Sequence, residues 1–325
     1  MAQVEAIYRY PIKGLSPQAL PSVTLEAGGA FPFDRVFALI RPGAPIDPEA
    51  PQWAKKGLFL MSMLDDGLSE VVTAVDPDTL RLTIARDRET LLVADLDTRE
   101  GRTAVEAFFG GRVPGLREAP RLARSRDGHF MDKPDNLISL INLATLRALE
   151  RQWGYSIDPL RFRANLYVDG VEPWREFDWI GADLRIGGVA FRVDRRNGRC
   201  AATNVDPVTG WRDRDIPGAL RAAFGHKDLG VYLRALEAGV VAVGDSVEPP
   251  AAVAPPLPAA PAVATSAGGR FICRGCYFIY DEGEGAAGKG EAFADLPASW
   301  RCPDCGTGRA NFRPHGPAVG ARDPA

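Results

Sequence analysis

Histidine is scarce in this chain: His129, His226 and His315 are the only three among 325 residues, and each stands alone. A His-built zinc centre or a Ser-His-Asp hydrolase has little material to work with, and each histidine reads as a surface or supporting residue. No run of 18 apolar residues occurs, and the opening Met-Ala-Gln-Val-Glu lacks a basic segment leading into an apolar one. Neither a membrane span nor a secretory leader is expected. Long basic runs are missing as well, and 39 Lys and Arg against 42 Asp and Glu leave a net charge of −3. That balance argues against nucleic acid as a partner. Cysteine is sparse and odd in number, five in all, with four of them in two tight pairs. Such a count suits metal plus one free thiol in a reducing compartment rather than a disulfide framework, so a cytoplasmic location is expected.

What is present reads as globular protein, with 46% hydrophobic and 25% charged residues. At about 150 residues per domain the length implies two or three domains. One boundary is plain. Residues 249–269 hold six Pro and eight Ala among 21 positions and no charge. Such a segment cannot bury a core and favours extended conformers, reaching at most about 65 Å at ~3.1 Å per residue. Residues 314–325, rich in Pro, Gly and Ala, read as a frayed tail.

Ahead of the spacer the pattern is mainly β with a few helices. Val4, Ala6 and Tyr8 alternate with polar residues until Pro11. Leu184 to Ile186, Gly187-Gly188 and Val189 to Val193 predict a hairpin on a two-residue turn. Asn142 is placed to cap a helix with Leu143, Leu146, Leu149 and Trp153 on one face and Gly154 as its stop. Shorter helices are predicted over Thr103–Phe109 and Asp215–Phe224. Gly283-x-Gly285-x-x-Gly288-Lys289 matches a dinucleotide fingerprint and nearly matches a phosphate-binding loop. Gly290 stands where Ser or Thr is needed, and no strand-then-helix pattern surrounds it, so no nucleotide is expected there.

The two pairs, Cys273-Arg-Gly-Cys276 and Cys302-Pro-Asp-Cys305, lie 25 residues apart. Four thiolates so spaced can form a tetrahedral site for Zn²⁺ or one Fe. The surrounding residues, Ile279-Tyr280-Asp281, Phe293-Ala-Asp295-Leu-Pro297, Trp300, Gly306 and Phe312, resemble rubredoxin. The resemblance implies a small aromatic-cored domain over 270–313 with iron on Cys273, Cys276, Cys302 and Cys305. Two departures stand out: Tyr277 follows the first knuckle where Gly is usual, and the stretch between knuckles is short. A zinc ribbon keeps the same cysteines and stays open as the alternative. Colour separates them, because iron(III) tetrathiolate absorbs in the visible.

The fifth thiol, Cys200, follows Arg195, Arg196 and Arg199. Cationic surroundings lower a thiol's pKa and make thiolate available as ligand or nucleophile. Around it, residues 1–248 resemble the MOSC family, the domain shared by molybdenum-cofactor sulfurases and the mitochondrial amidoxime-reducing component. The resemblance rests on Tyr10-Pro-Ile-Lys13-Gly14, Phe33-Asp34-Arg35, Arg161-Phe-Arg163-Ala164-Asn165, Glu176-x-x-Trp179, Gly198-Arg199-Cys200-x-x-Thr203-x-Val205-Asp206-Pro207-x-Thr209-Gly210 and Val243-Gly244-Asp245. Ala164 replaces the family's Pro. The resemblance implies an N-terminal β-barrel domain over 1–130 and a MOSC β-barrel domain over 131–248. It implies molybdenum on Cys200, with the pterin cofactor held by Lys13, Gly14, Arg35, Arg163, Asn165 and Arg199. Asn142 and Thr145, at the start of the capped helix, are further implied contacts.

Joined, these parts imply an oxidoreductase that cleaves the N–O bond of N-hydroxylated bases, amidoximes or hydroxylamines. Electrons would come from the rubredoxin-like domain, whose tether raises its local concentration to the millimolar range. No NAD or flavin fingerprint is present, so a separate NAD(P)H-dependent reductase is the expected upstream partner. Asp194 and Asp206 are proton-donor candidates by proximity in sequence. Two alternatives are a sulfur carrier with a persulfide on Cys200, and a zinc-knuckle binding module.

Overall fold

A computed structural model of the chain describes residues 1–65, 67–250, 269–273, 278–282, 291–303 and 307–314. Cys276, Tyr277, Cys305, His315, the Gly283–Gly290 run, most of the spacer and the tail from 315 lie outside these described residues. The chain forms two compact units, Met1–Leu257 and Pro258–Ala325.

The first half of the larger unit contributes strands Gln3–Arg9 (β1), Gln18–Leu20 (β2), Ser22–Leu25 (β3), Phe37–Ile40 (β4), Val72–Val75 (β5), Arg81–Arg86 (β6), Glu89–Asp95 (β7) and Arg121–Arg124 (β8), with helix Arg99–Gly110 (α1) before β8. The second half contributes Ile138–Asn142 (β9), Leu166–Asp169 (β10), Asp183–Ile186 (β11), Val189–Gly198 (β12), Asp228–Ala235 (β13), Gly239–Ala242 (β14) and Val247–Glu248 (β15). Helices Leu143–Trp153 (α2) and Ile216–Phe224 (α3) complete it. The described residues are mostly β with three α-helices, as the sequence pattern predicts.

Eight strands form the central sheet in the order β15-β11-β12-β13-β9-β10-β1-β2, with smaller sheets β3-β14, β4-β8 and β5-β6-β7 beside it. Strand pairing crosses the expected 130/131 boundary. Strands β1 and β2 complete the second half's sheet, and β3 pairs with β14. The alternation expected for β1 also breaks. Its pairing with β10 shifts register between Val4 and Ala6, a bulge that rotates the strand. Val4 and Ile7 therefore enter the core with Leu140, Leu166, Val231 and Trp179. Ala6 and Tyr8 face the opposite side, among Ile141, Tyr167 and the helices.

The hairpin β11–β12 turns at Gly187, as predicted, with φ +55°. Asn142 caps α2 by accepting from Ala144 N, and Gly154 ends it at φ +75°. Leu146 and Leu149 are buried against the sheet, worth about 1.5–3 kcal/mol each. Helix α1 starts four residues earlier than predicted because Thr98 caps it, accepting from Gly101 N. Asp215 caps α3 in the same way, through Gly218 N.

In the smaller unit, Arg270–Cys273 (β16) lies between Ile279–Asp281 (β17) and Phe312–Pro314 (β18). Tyr280, Phe293 and Leu296 form its core with Phe271, Trp300 and Phe312 around them. Phe271 stacks on Phe293 at 4.2 Å between centroids, and Tyr280 meets Trp300 edge-on at 5.7 Å. So small a core needs a staple, and metal is the usual one.

Candidate functional site

The site is built where the chain leaves β1 and meets the loops before β10 and after β12. Tyr10 N donates to Asp34 Oδ1 at 2.7 Å, and Arg35 N donates to the Tyr10 carbonyl at 2.7 Å. These bonds hold Arg35 in the left-handed region at φ +53°, and Phe130 N caps its carbonyl at 2.8 Å. Arg163, also left-handed at φ +49°, accepts from Arg35 Nη2 on its carbonyl at 2.9 Å. Both guanidinium groups lie against the Tyr10 ring, Arg35 at 4.5 Å and Arg163 at 4.2 Å. Arg35 also pairs with Asp34 through Nη1. Arg163 Nη2 is buried without a hydrogen-bond partner among the described residues. Burial, then the neighbouring Arg35, push the Arg163 guanidinium down to about 10.

Lys13 extends this cationic face. Its Nζ donates to the Phe130 carbonyl at 2.7 Å and to Asp132 Oδ1 at 2.6 Å, while Lys56 reaches Asp132 Oδ2 at 3.5 Å. Burial holds Lys13 below the ordinary lysine value although Asp132 acts the other way. Burial would raise Asp132, but the two lysines hold it well below the usual carboxylate range.

Cys200 opens a short 3-10 turn, Ala201–Asn204, after β12. Its Sγ lies 3.9 Å from Met63 Sδ, a residue of the first half. Burial raises the Tyr232 phenol, and Arg199, Asp132, Arg35 and Cys200 all act on it electrostatically. Lys13, Arg35 and Arg163 are gathered through Tyr10 and Phe130 from positions up to 150 residues apart.

Four other expected contacts serve the frame. Arg199 donates to the carbonyls of Leu229 at 2.7 Å and Phe162 at 2.9 Å, bracing the loop that carries Arg163. Asn165 accepts from Ser139 N at 3.1 Å and donates to the Tyr8 carbonyl at 3.2 Å, tying β9 to β1. Asn142 and Thr145 gather around Glu176, each within 3.0 Å of its carboxylate. That carboxylate, fully buried, is pushed up to about 7 by desolvation. Gly14 supplies space rather than a contact, as described below.

Both proton-donor candidates have partners within the protein. Asp206 is ion-paired to Arg161 at 2.7 Å and accepts from Val208 N and Thr209 N, so it caps a turn. Asp194 pairs with Arg195 at 3.0 Å and with Arg234 at 3.7 Å. Sequence reasoning missed Lys56, Met63, Asp132 and Tyr232. Only tertiary contact selects them; Lys13 and Asp132, for instance, are 119 residues apart. His129 is buried and accepts from Met131 N at 3.2 Å, and His226 stacks on Phe224.

In the smaller unit, Cys273 and Cys302 are fully buried. Cys273 N donates to the Phe278 carbonyl at 2.9 Å, and Cys302 N to the Thr307 carbonyl at 2.8 Å. The main chain of each cysteine thus pairs with a residue five positions on, and the C-x-x-C spacing supplies a second thiol able to share one metal.

The donor sets fit the groups they are expected to hold. Four cations, Lys13, Lys56, Arg35 and Arg163, face two carboxylates, Asp34 and Asp132, so positive charge is in excess. An orphaned guanidinium nitrogen matches a phosphate oxygen, and a thiolate suits a metal already bound by sulfur.

Comparison with known proteins agrees with this layout. Residues 1–109 match the MOSC N-terminal beta barrel domain, 127–248 the MOSC domain, and 270–312 Rubredoxin. Among curated relatives, Mitochondrial amidoxime-reducing component 1 of Xenopus laevis is 27% identical over 39% of this chain and 42% of its own length. Molybdenum cofactor sulfurase of Anopheles gambiae is 32% identical over 37% of this chain and 18% of its own. Rubredoxin of Megasphaera elsdenii is 48% identical over 13% of this chain and 88% of its own. The chain thus spans less than half of the first two relatives and nearly all of the third.

Proposed function

Because the chain belongs to the MOSC-domain proteins, with the MOSC N-terminal barrel domain in front and a rubredoxin domain behind, we propose that it is a molybdenum-cofactor oxidoreductase for N-hydroxylated compounds. One observation carries this most directly. Arg163 keeps a buried Nη2 with no partner among the described residues, and Arg35 stands beside it. A buried cation without a partner is costly unless an anionic ligand completes it.

In this function Arg35 and Arg163 grip the cofactor's phosphate, with Lys13 adding a point charge. Cys200 donates its thiolate to the metal. Arg199 holds the Phe162 and Leu229 main chain in place, so that Arg163 and Cys200 keep their spacing. Both guanidinium groups rest on the Tyr10 ring, which helps to hold two like charges side by side. The bound molybdenum supplies two-electron chemistry, by which an N–OH group, two electrons and two protons become N–H and water. Iron on the four cysteines of the small unit supplies one-electron chemistry in the same chain. A separate NAD(P)H-dependent reductase feeds that iron.

The similarity to molybdenum cofactor sulfurases favours a second function, sulfur transfer through a Cys200 persulfide. A fused electron donor has no role there. Expression in a host that builds the pterin separates the two. The oxidoreductase carries about one molybdenum and one iron per chain and reduces an amidoxime when given reducing equivalents. Cys200→Ser loses molybdenum and reduction but keeps the iron absorption. Wild-type protein without molybdenum, or a serine variant that still reduces the amidoxime, rejects the assignment.

A further inference from the structure

Lys13 and Cys200 come from different halves of the chain, and one short segment runs against Gly14, the residue after Lys13, and reaches Cys200. Gly14 follows Lys13 at φ +79°, and a Cβ there would lie 2.8 Å from Met61 Cα. The missing side chain lets the Met61 backbone pass. Two residues later, Met63 Sδ meets Cys200 Sγ at 3.9 Å, and Met63 is 4% exposed. The segment is fixed from both sides. Met61 N donates to Asp65 Oδ2 at 2.8 Å, and Arg41 reaches the same oxygen at 2.5 Å. On the other side Arg212 donates from Nε to the Met63 carbonyl at 3.0 Å and from Nη2 to the Ser62 carbonyl at 3.2 Å. Arg212 in turn bridges to Val205, in the loop that follows Cys200.

The Cys200 main chain is anchored, since its carbonyl accepts from Thr203 N at 3.1 Å and Thr203 Oγ1 at 3.0 Å. Those bonds do not set the side-chain torsion. A cysteine has three staggered wells, and the contact at sulfur decides among them. A thioether is well suited to that contact: it fills space, is polarizable, and accepts weakly from a thiol while offering no charge to a thiolate.

We infer that Met63 is a positioning residue for the Cys200 sulfur, and that Met61–Met63 is the spacer fixing the separation of Lys13 from Cys200. The half of the chain that supplies the lysine thereby aims the thiol supplied by the other half. Only the consequence for molybdenum rests on the function proposed above; the aim of the thiol is a property of the cofactor-free protein.

The test uses the full chain from a host unable to make the pterin, as wild type, Met63→Ala and Met63→Leu. Alkylation of Cys200 by iodoacetamide is followed by peptide mass spectrometry. Removing the thioether frees the rotamer and uncovers the sulfur, so Met63→Ala reacts about threefold faster or more. Met63→Leu, close in volume, returns to within about twofold of wild type. Gly14→Ala, which pushes the spacer from its far side, also speeds labelling. Loaded protein gives a second readout: after dialysis, Met63→Ala retains no more than about half the wild-type molybdenum, and Met63→Leu retains most of it. Should the alanine variant fail to fold, Met63→Val, too short to reach the sulfur, replaces it with the same expected direction. Labelling of the alanine or valine variant at the wild-type rate overturns the inference. Wild type that never takes up molybdenum rejects the parent assignment instead and leaves the labelling comparison standing.

Discussion

Arg163→Gln separates stability from ligand binding, because the wild-type side chain is a charge waiting for a partner. Its folded value of about 10 lies below the ordinary 12.5, so the folded state binds its proton less well than the unfolded chain. The resulting penalty is fully present below pH 10 and fades as pH rises from there towards 12.5. At neutral pH it is in force. A shift of this size, discounted for partial exposure, costs about 2 kcal/mol. Glutamine removes that cost but also the stacking on Tyr10, worth about 1 kcal/mol. The net expectation is a gain of about 1 kcal/mol, or a rise of about 2–4 °C in the Tm of the cofactor-free protein. Inorganic phosphate at ten times its Kd adds about 1.4 kcal/mol to wild type and much less to the variant. Thermal unfolding followed by circular dichroism, with and without phosphate, reads both effects. A variant that melts lower than wild type, yet responds to phosphate equally, refutes the reasoning.

Glu176, at about 7 when folded against the ordinary 4.5, holds its proton more tightly in the native state. Its contribution is present below pH 4.5 and is lost as pH climbs to 7, so wild-type stability falls by about 1–3 kcal/mol across that window. Urea unfolding at pH 5 and pH 8 measures the fall, and a flat profile contradicts it. Arg161 is 5% exposed and spans Asp206, Asp213 and the Asn204 carbonyl. Arg161→Ala should cost about 2–4 kcal/mol by stranding those groups, and a loss under about 0.5 kcal/mol in urea would show that solvent replaces it. In the small unit Cys302→Ser should abolish the visible iron absorption, with near-ultraviolet dichroism of Trp300 and Tyr280 lost alongside. A variant that keeps its colour means that Cys302 is no ligand.

Much of this was legible in the residues. Turn and cap chemistry acts over a few positions, so Asn142, Gly154, Asp215 and Gly187-Gly188 announce helix ends and a hairpin before any contact is known. The paired cysteines and their aromatic neighbours likewise mark a metal-stapled unit by spacing alone. Motif order pointed to Lys13, Arg35 and Arg163 among the cofactor contacts, and the fold sets Arg35 and Arg163 on one tyrosine ring with Lys13 bound to the neighbouring Phe130 carbonyl.

Only tertiary structure decided the rest. A bulge in β1 overrode the apparent alternation and sent Ile7, not Ala6 or Tyr8, into the core. Arg199 bonds main-chain carbonyls, and Asn142 and Thr145 bond the buried Glu176, partners that no local pattern announces. Sequence fixes which groups are available and what they do over a turn or two. Which of them meet across more than a hundred residues, as Met63 meets Cys200 and Lys13 meets Asp132, depends on strand register and burial, and these form only when the sheets close around one core.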